Sequence, residues 1–237
     1  MDICVGLSVF AYLRNILDFK GSLLAFVVGV IISLMGSILW LIMLLLFLLT
    51  SFAFTRYRFE TKKEKGLHEG TKGERGYRNV AANGLVMTII AVLAFIGVPT
   101  LDIGTASFMF VSALAVAAAD TAASEIGVFD PRPVLITTLK RVTPGTNGGV
   151  SLTGQLAAFF SAAVTSAIAY LLFSLNSQLV VGASTFLIPM LCGFLGCQID
   201  SVIGATIEQK GRIGKLGNNF LSIASGAILA WILSLLL

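Results

Sequence analysis

Asp120 and Asp200 are the residues of this chain best suited to chemistry. Each closes a long apolar run, the first within AAADTAASEIG and the second within GCQIDSVIGAT. Each is followed by a small hydroxyl residue, Thr121 or Ser201, and by another small residue four positions on, Ser124 or Gly204. Positions i and i+4 share a helix face, so each carboxylate has a bare flank. A carboxylate with room beside it can hold hydrated Mg²⁺ and a phosphate chain, since that ion takes one or two carboxylates plus substrate oxygens. Glu125 is a third candidate ligand. It follows Asp120 by five residues, about 500° of helical rotation, so the two point roughly 140° apart unless the helix ends or kinks between them.

Three further elements suit phosphates. In PGTNGGVSLTG, 144–154, the glycines Gly148 and Gly149 permit tight turns ahead of an apolar helix. A glycine-rich loop before a helix N-terminus offers amides and a dipole to an anion, and Thr146 and Asn147 add side-chain donors. In KGLHEGTKGERGYRNVAANG, 65–84, Gly66, Gly70, Gly73 and Gly76 alternate with Lys65, His68, Lys72, Arg75 and Arg78. Glycine at that spacing with so many cations reads as a flap that closes over phosphates. Arg75 and Arg78, beside the next helix start, should be its best-anchored cations, and Lys62 and Lys63 should be solvated. Asn79 and Asn83 share a face of that helix. Asn218 and Asn219 open the last apolar segment, where one amide suffices as a cap.

The elements that hold these residues are apolar. Of 237 residues 57% are hydrophobic and 12% charged, against roughly 25% charged in a soluble domain. Mean hydropathy is +0.94. The chain is expected to be an all-α, polytopic transmembrane bundle forming a single membrane domain over 1–237. Apolar segments run at about 3–17, 21–34, 36–55, 79–97, 104–119, 154–174, 179–199 and 218–237, with a break expected at Gly36-Ser37. Seven spans result if the first, short segment lies in the interface. Asp2 before that segment and Arg14 after it reverse the order of a secretory signal.

The sixteen basic residues fall in four places: Arg14–Lys20, 56–78, 132–141 and 210–215. Within 56–78, eight cations face four glutamates, a net +4. Two-helix reading of 21–55 puts all four clusters on one face, and the connections near Pro99–Asp102 and Ser174–Gln178 lack Lys and Arg. The positive-inside rule makes the basic face cytoplasmic. The polar stretches 56–78 and 120–152 are then cytoplasmic loops, and the site belongs on that face. One histidine excludes a His-rich zinc site or Ser-His-Asp triad. Three cysteines without C-x-x-C spacing argue against a disulfide framework, and no Walker A pattern is present. DTAASEIG and DSVIGATI, 80 residues apart, hint at a parallel duplication around one site.

The set SxxxTRYR at 51–58, EKGLHEGTKGERGYRNVAANG at 64–84, DTAASEIG at 120–127, PGTNGGVSLTG at 144–154, DSVIGAT at 200–206 and the Asn pair at 218–219 resembles one integral-membrane family. Its members include the phytyl-phosphate kinase of chloroplast tocopherol synthesis. The resemblance covers about residues 18 to 230. It implies a kinase passing the γ-phosphoryl group of a nucleoside triphosphate, CTP being expected, to a phytyl or prenyl monophosphate. On the matching positions, residue chemistry makes Asp120, Asp200, Lys72, Arg75 and Arg78 catalytic. Lys65, His68, Asn79, Asn83, Ser124, Thr146, Asn147, Gly148, Gly149, Asn218 and Asn219 would bind nucleotide and phosphate, and Asp120, Glu125 and Asp200 would hold Mg²⁺. Expected partners are a lipid phosphate in the bilayer and a nucleotide. No nucleic acid is expected, and a homo-oligomer is left open. A cytidylyltransferase like the CDP-lipid synthases would want the same carboxylates. A transporter without chemistry would place polar residues near the bilayer midplane, whereas here they gather at one face.

Overall fold

The computed structural model describes residues 2–175 and 181–236. Its order is α1 (Asp2–Leu13), α2 (Phe19–Ile31, prolonged by a π-helical turn Ile32–Gly36), α3 (Ile38–Arg56), α4 (Phe59–Glu64), α5 (Tyr77–Phe95), α6 (Ile103–Gly127), α7 (Leu152–Ser174), α8 (Ala183–Ile203, prolonged by a π-helical turn Gly204–Glu208) and α9 (Lys215–Ser234). Among the described residues seven helices, all but α1 and α4, are long and apolar enough to cross a membrane. The bundle's outer surface is apolar, with Phe160 62% and Leu34 70% exposed, so its solvent is lipid. The first apolar segment makes only the 12-residue α1, about 18 Å long, too short to span.

Side-chain caps set the helix starts. Asp18, Ser37, Asp102 and Ser151 each accept from an amide of the first turn. The break at Gly36-Ser37 stands where expected, with Ser37 extended (φ −144°) as the cap of α3. The polar stretch 120–152 begins inside α6, which runs unbroken to Gly127, and continues as a loop holding a two-stranded antiparallel ribbon, β1 (Val134–Leu135) on β2 (Gly149–Val150). Of the connections that lack Lys and Arg, residues 176–178 lie outside the described part.

Helix α6 is the axis of the bundle and packs against α3, α5, α7, α8 and α9. Ala113, Ala115, Ala117 and Ala119 of α6 are fully buried and let neighbours approach closely. A Cβ on Gly193 would meet the Ala115 side chain, and one on Gly196 or Gly226 would strike Val116. These small residues serve helix packing. Trp40 of α3 stacks on Phe110 of α6 at 4.5 Å and donates to Ser107 Oγ at 3.3 Å.

Contacts between loops put every basic cluster at one end. The amide of Arg75 donates to the Ile16 carbonyl, Lys215 pairs with Glu69, and Gln209 donates to the Asn147 carbonyl.

Candidate active site at the basic end of the bundle

Helices α6 and α8 run in the same direction and bring Asp120 and Asp200 together at this end, with their carboxyl groups adjoining. Asp200 is fixed from α9. Ser222 Oγ donates to its Oδ1 at 3.0 Å, and Asn218 Nδ2 reaches its Oδ2 at 3.4 Å and its carbonyl at 3.2 Å. The same Asn218 amide donates to Glu208 Oε2 at 2.9 Å. Glu208 arrives there because the chain beyond Asp200 takes a π-helical turn, which carries it back over the cleft. Asn218 Oδ1 is buried and has no hydrogen-bond partner.

The loop 143–151 forms the opposite wall. Gly148 (φ +75°) lies so close to Ala205 that a side chain on it would overlap the Ala205 backbone, and a Cβ on Gly204 would in turn crowd the Gly148 amide nitrogen. Asp120, Ser124, Thr146, Asn147, Gly148, Gly149, Asp200, Asn218 and Asn219 thus line one cleft of 220 Å³. Ser151 and Gly154, in the first turn of α7, line it too. Part of the expected phosphate cradle is already engaged, since the amides of Thr146 and Gly149 donate to Thr143 and Thr146. The Thr146 hydroxyl likewise donates to the Thr143 carbonyl at 2.7 Å. The amides of Leu152 and Thr153 remain, as at any helix start.

Glu125 does not join the aspartates. Because α6 stays helical past Gly127, the angular separation expected of an unbroken helix holds, and Glu125 points toward α3 and α4. There it accepts from Lys62 Nζ at 2.5 Å and from Thr55 Oγ1 at 2.8 Å. Lys62 also donates to the carbonyls of Phe54 and Thr55 at the end of α3. Lys62 is 1% exposed, so its expected place as a solvated loop charge is corrected. The cause is Arg58, whose left-handed backbone (φ +50°) turns α4 back beneath α3.

The cations of the glycine-rich loop separate into two kinds. Arg75 is buried, with Nη2 donating to Thr55 Oγ1 at 3.2 Å and lying 3.9 Å from Glu125 Oε1. Burial pulls its guanidinium below the ordinary value, opposed first by Glu125 and then by Glu69 and Asp120. Lys65, His68, Lys72 and Arg78 are exposed and do not line the cleft. Arg78 lies over the Tyr77 ring, and His68 stands edge-on to Phe59. The loop itself is tied down. Gly66, Gly70 and Gly73 hold positive φ in fixed turns. Although partial burial opposes it, Thr71 and the amides around Glu74 hold that carboxyl down to about 2. The backbone of Arg75 is paired with residues 16–18 on both sides.

Asn79 and Asn83 do not line the cleft. Asn79 Nδ2 donates to Glu69 Oε2 at 3.2 Å, and Glu69 Oε1 accepts from Lys215 Nζ at 2.7 Å. Burial would raise the Glu69 carboxyl, but Lys215 and Asn79 together hold it below its usual value. Lys215 lines the cleft. Sequence reasoning did not single out Lys215, Glu208, Glu69 or Ser222; Ser222, one helical turn beyond Asn218, was the most accessible to a pattern argument.

The cleft suits a divalent cation. Its donors are oxygens: the adjoining carboxylates, Glu208 beside them, and the unpartnered Asn218 Oδ1. Among the described residues no three His, Cys, Asp or Glu close around a point. Of the divalent cations, Mg²⁺ needs the fewest protein ligands, since substrate phosphates and water complete its shell.

A bundle of seven membrane-length helices with an acidic, amide-rich cleft at one end defines a polytopic membrane protein whose polar site lies at a bundle end. The chain belongs to the integral membrane protein family DUF92, which matches it over residues 3–230. It is 31% identical to the "Uncharacterized membrane protein MJ0933" of Methanocaldococcus jannaschii, over 96% of this chain and 89% of that protein. It is 32% identical to "Protein PGR" of Arabidopsis thaliana, over 85% of this chain and 75% of PGR. It is 29% identical to the chloroplastic "Protein VTE6" of the same plant, over 75% of this chain and 53% of VTE6. The motifs that carried the family resemblance all lie in the matched region. No solved structure matches the chain.

Proposed function

We propose that the protein is a membrane kinase that transfers the γ-phosphoryl group of a nucleoside triphosphate, CTP being the first candidate, to a phytyl or prenyl monophosphate. The observation that carries this is the meeting of Asp120 and Asp200, from two parallel helices, in a cleft walled by Asn218 and the 146–149 loop. The resemblance of its motifs to the family that includes the phytyl-phosphate kinase supports it, as does its membership of the integral membrane family DUF92.

In this reading an oxygen of the acceptor monophosphate attacks the γ-phosphorus. The bond from that phosphorus to the β-phosphate oxygen breaks, and the nucleoside diphosphate leaves. Asp120 and Asp200 hold Mg²⁺, which neutralises charge on the phosphates when bound. Asn218 and Ser222 keep Asp200 oriented. The first turn of α7 and the amides near Gly148 receive nucleotide phosphates. Lys215 and Arg75 supply positive charge on the acceptor side, in place of the exposed lysines of the loop. The site faces the cytoplasm, as the clustering of basic residues implies.

The test is purified protein in detergent with CTP or ATP, Mg²⁺ and a panel of prenyl monophosphates. Release of nucleoside diphosphate with formation of a prenyl diphosphate is expected. Release of pyrophosphate would instead mark a cytidylyltransferase, and neither product would leave the family fold without this chemistry.

A further inference from the structure

A second cavity, of 80 Å³, opens between α2, α3 and α5, walled by Ala25, Val28, Leu44 and Leu48. It is continuous with a smaller one through Leu17, Ala25, Gly29, Leu41, Leu45 and Leu48, and this ends at Cys4 of α1. Cys4 lies nine residues before Leu13, where α1 ends at the basic end, so the groove runs about 14 Å into the bundle, roughly half the hydrocarbon thickness of a bilayer. Its charged and amide side chains all stand at the basic end; toward Cys4 the lining is apolar apart from Ser8. There stand Arg75 and Asn83, 7% and 6% exposed, with Asn79 and Ser51 beside them.

Two polar atoms at that end lack hydrogen-bond partners: Arg75 Nε and Asn83 Oδ1. Burying such groups without partners is costly, so a ligand that bonds both atoms is favoured here. The buried charges agree. Lys62 and Arg75 share one carboxylate, Glu125, and Arg75 holds it only at 3.9 Å, so its guanidinium has no close ion pair of its own. The polar end also adjoins the cleft: Asn79 holds Glu69, Glu69 holds Lys215, and Lys215 lines the cleft.

We propose that this groove receives a phosphate-headed lipid. Its phosphate lies against Arg75 and Asn83, its leading carbons fill the cavity, and the rest of its single hydrocarbon chain runs toward Cys4 and out into the bilayer. A phosphate oxygen accepts from Arg75 Nε, and the hydroxyl of a singly protonated phosphate donates to Asn83 Oδ1. An anion here gives the Arg75 guanidinium a close partner. The assignment rests on the kinase reading, for which it names the binding place of the acceptor. That place is separate from the small residues Ala113, Ala117, Gly193 and Gly196, which pack α6 against its neighbours, whereas Gly84 lines the groove.

The experiment is photo-crosslinking in nanodiscs with a C20 prenyl monophosphate carrying a diazirine in its chain, mapped by peptide mass spectrometry. Label is expected on residues 25–48 and 80–84 and near Cys4. Unlabelled prenyl monophosphate should displace it, while the parent prenyl alcohol and phosphatidic acid should not. Gly29→Leu, which narrows the groove, should cut labelling about tenfold, since displacing two buried methylenes is worth that much. Leu49→Trp, on the exposed face of α3, should not. Label on α7 and α8, even label over the whole outer surface, or equal displacement by the alcohol would overturn the assignment, and the mapping on the unaltered chain stands even if Gly29→Leu does not fold. Labelling needs no turnover, so the two readings fail separately. Groove labelling without diphosphate release sinks the kinase and keeps the lipid site; turnover with label elsewhere does the reverse.

Discussion

At the scale of single residues, charges with similar sequence surroundings have unlike roles. Asp120 and Glu125 sit five residues apart on α6, yet one opens on the cleft and the other ends in an ion pair. Asp120→Asn and Asp200→Asn should each leave the bundle folded and lower turnover by ~10³ or more, the scale of losing one preorganised charge contact at a transferring phosphoryl group. Rates measured at saturating Mg²⁺ check this, and near-normal rates for both variants would make the aspartates structural. Lys62 and Lys63 offer the sharper contrast. Lys62→Met would leave Glu125 buried without its closest cation, at a cost of about 3–5 kcal/mol. Lys63→Met, at an exposed position, should stay within about 0.5 kcal/mol. Thermal unfolding in detergent reads the difference, and Lys62→Met/Glu125→Leu should recover part of the loss.

At the scale of elements, the site depends on how closely α8 and α9 approach α6. Gly196 and Gly226 stand on either side of Val116, and a Cβ at either would overlap its methyls. Gly226→Ala and Gly196→Ala should therefore destabilise by about 1–3 kcal/mol, as overpacking does. Pairing either with Val116→Ala should return much of it, because the clash is with that side chain. A double-mutant cycle on unfolding midpoints tests the coupling, and additive effects would place the strain elsewhere. The π-helical turn at Gly204–Glu208 is the other decisive element. It brings Glu208 to Asn218 and sets Gly204 against Gly148. The loop 65–78, by contrast, is held by Arg75's pairing with residues 16–18 and by its glycine turns. It is a clamp around one buried arginine rather than a free flap.

For the whole molecule, the loops that carry the basic residues meet at one end, where the helix ends of α6, α8 and α9 and the loop 143–151 form the cleft. With the positive-inside rule this predicts a cytoplasmic site. In a variant with Cys4, Cys192 and Cys197 replaced, Lys72→Cys should react with an impermeant maleimide only in inverted vesicles, and Pro99→Cys only from outside intact cells. Labelling of position 72 from outside would invert the topology. The three native cysteines are buried, so their replacement by alanine or serine should be mild where the space allows.

How much of this was legible in the sequence follows from the range of the forces involved. Membrane spans and their common basic end depend on local composition, and so stood in the apolar runs and the four basic clusters. The aspartates, the Asn pair and the 146–149 loop were visible as polar residues at the ends of apolar helices, where a charge demands a reason. What could not be read there was the partnering of charges across the fold. Lys62 lies 63 residues from Glu125, and Lys215 lies 146 residues from Glu69. Nothing local distinguishes a lysine that will be buried from one that will be solvated, because burial is decided by the distant surface packed over it. The sequence alone determined which end of the molecule would be polar. Tertiary packing decided which of its charges face the cleft, which neutralise one another, and which was left with an unpartnered nitrogen.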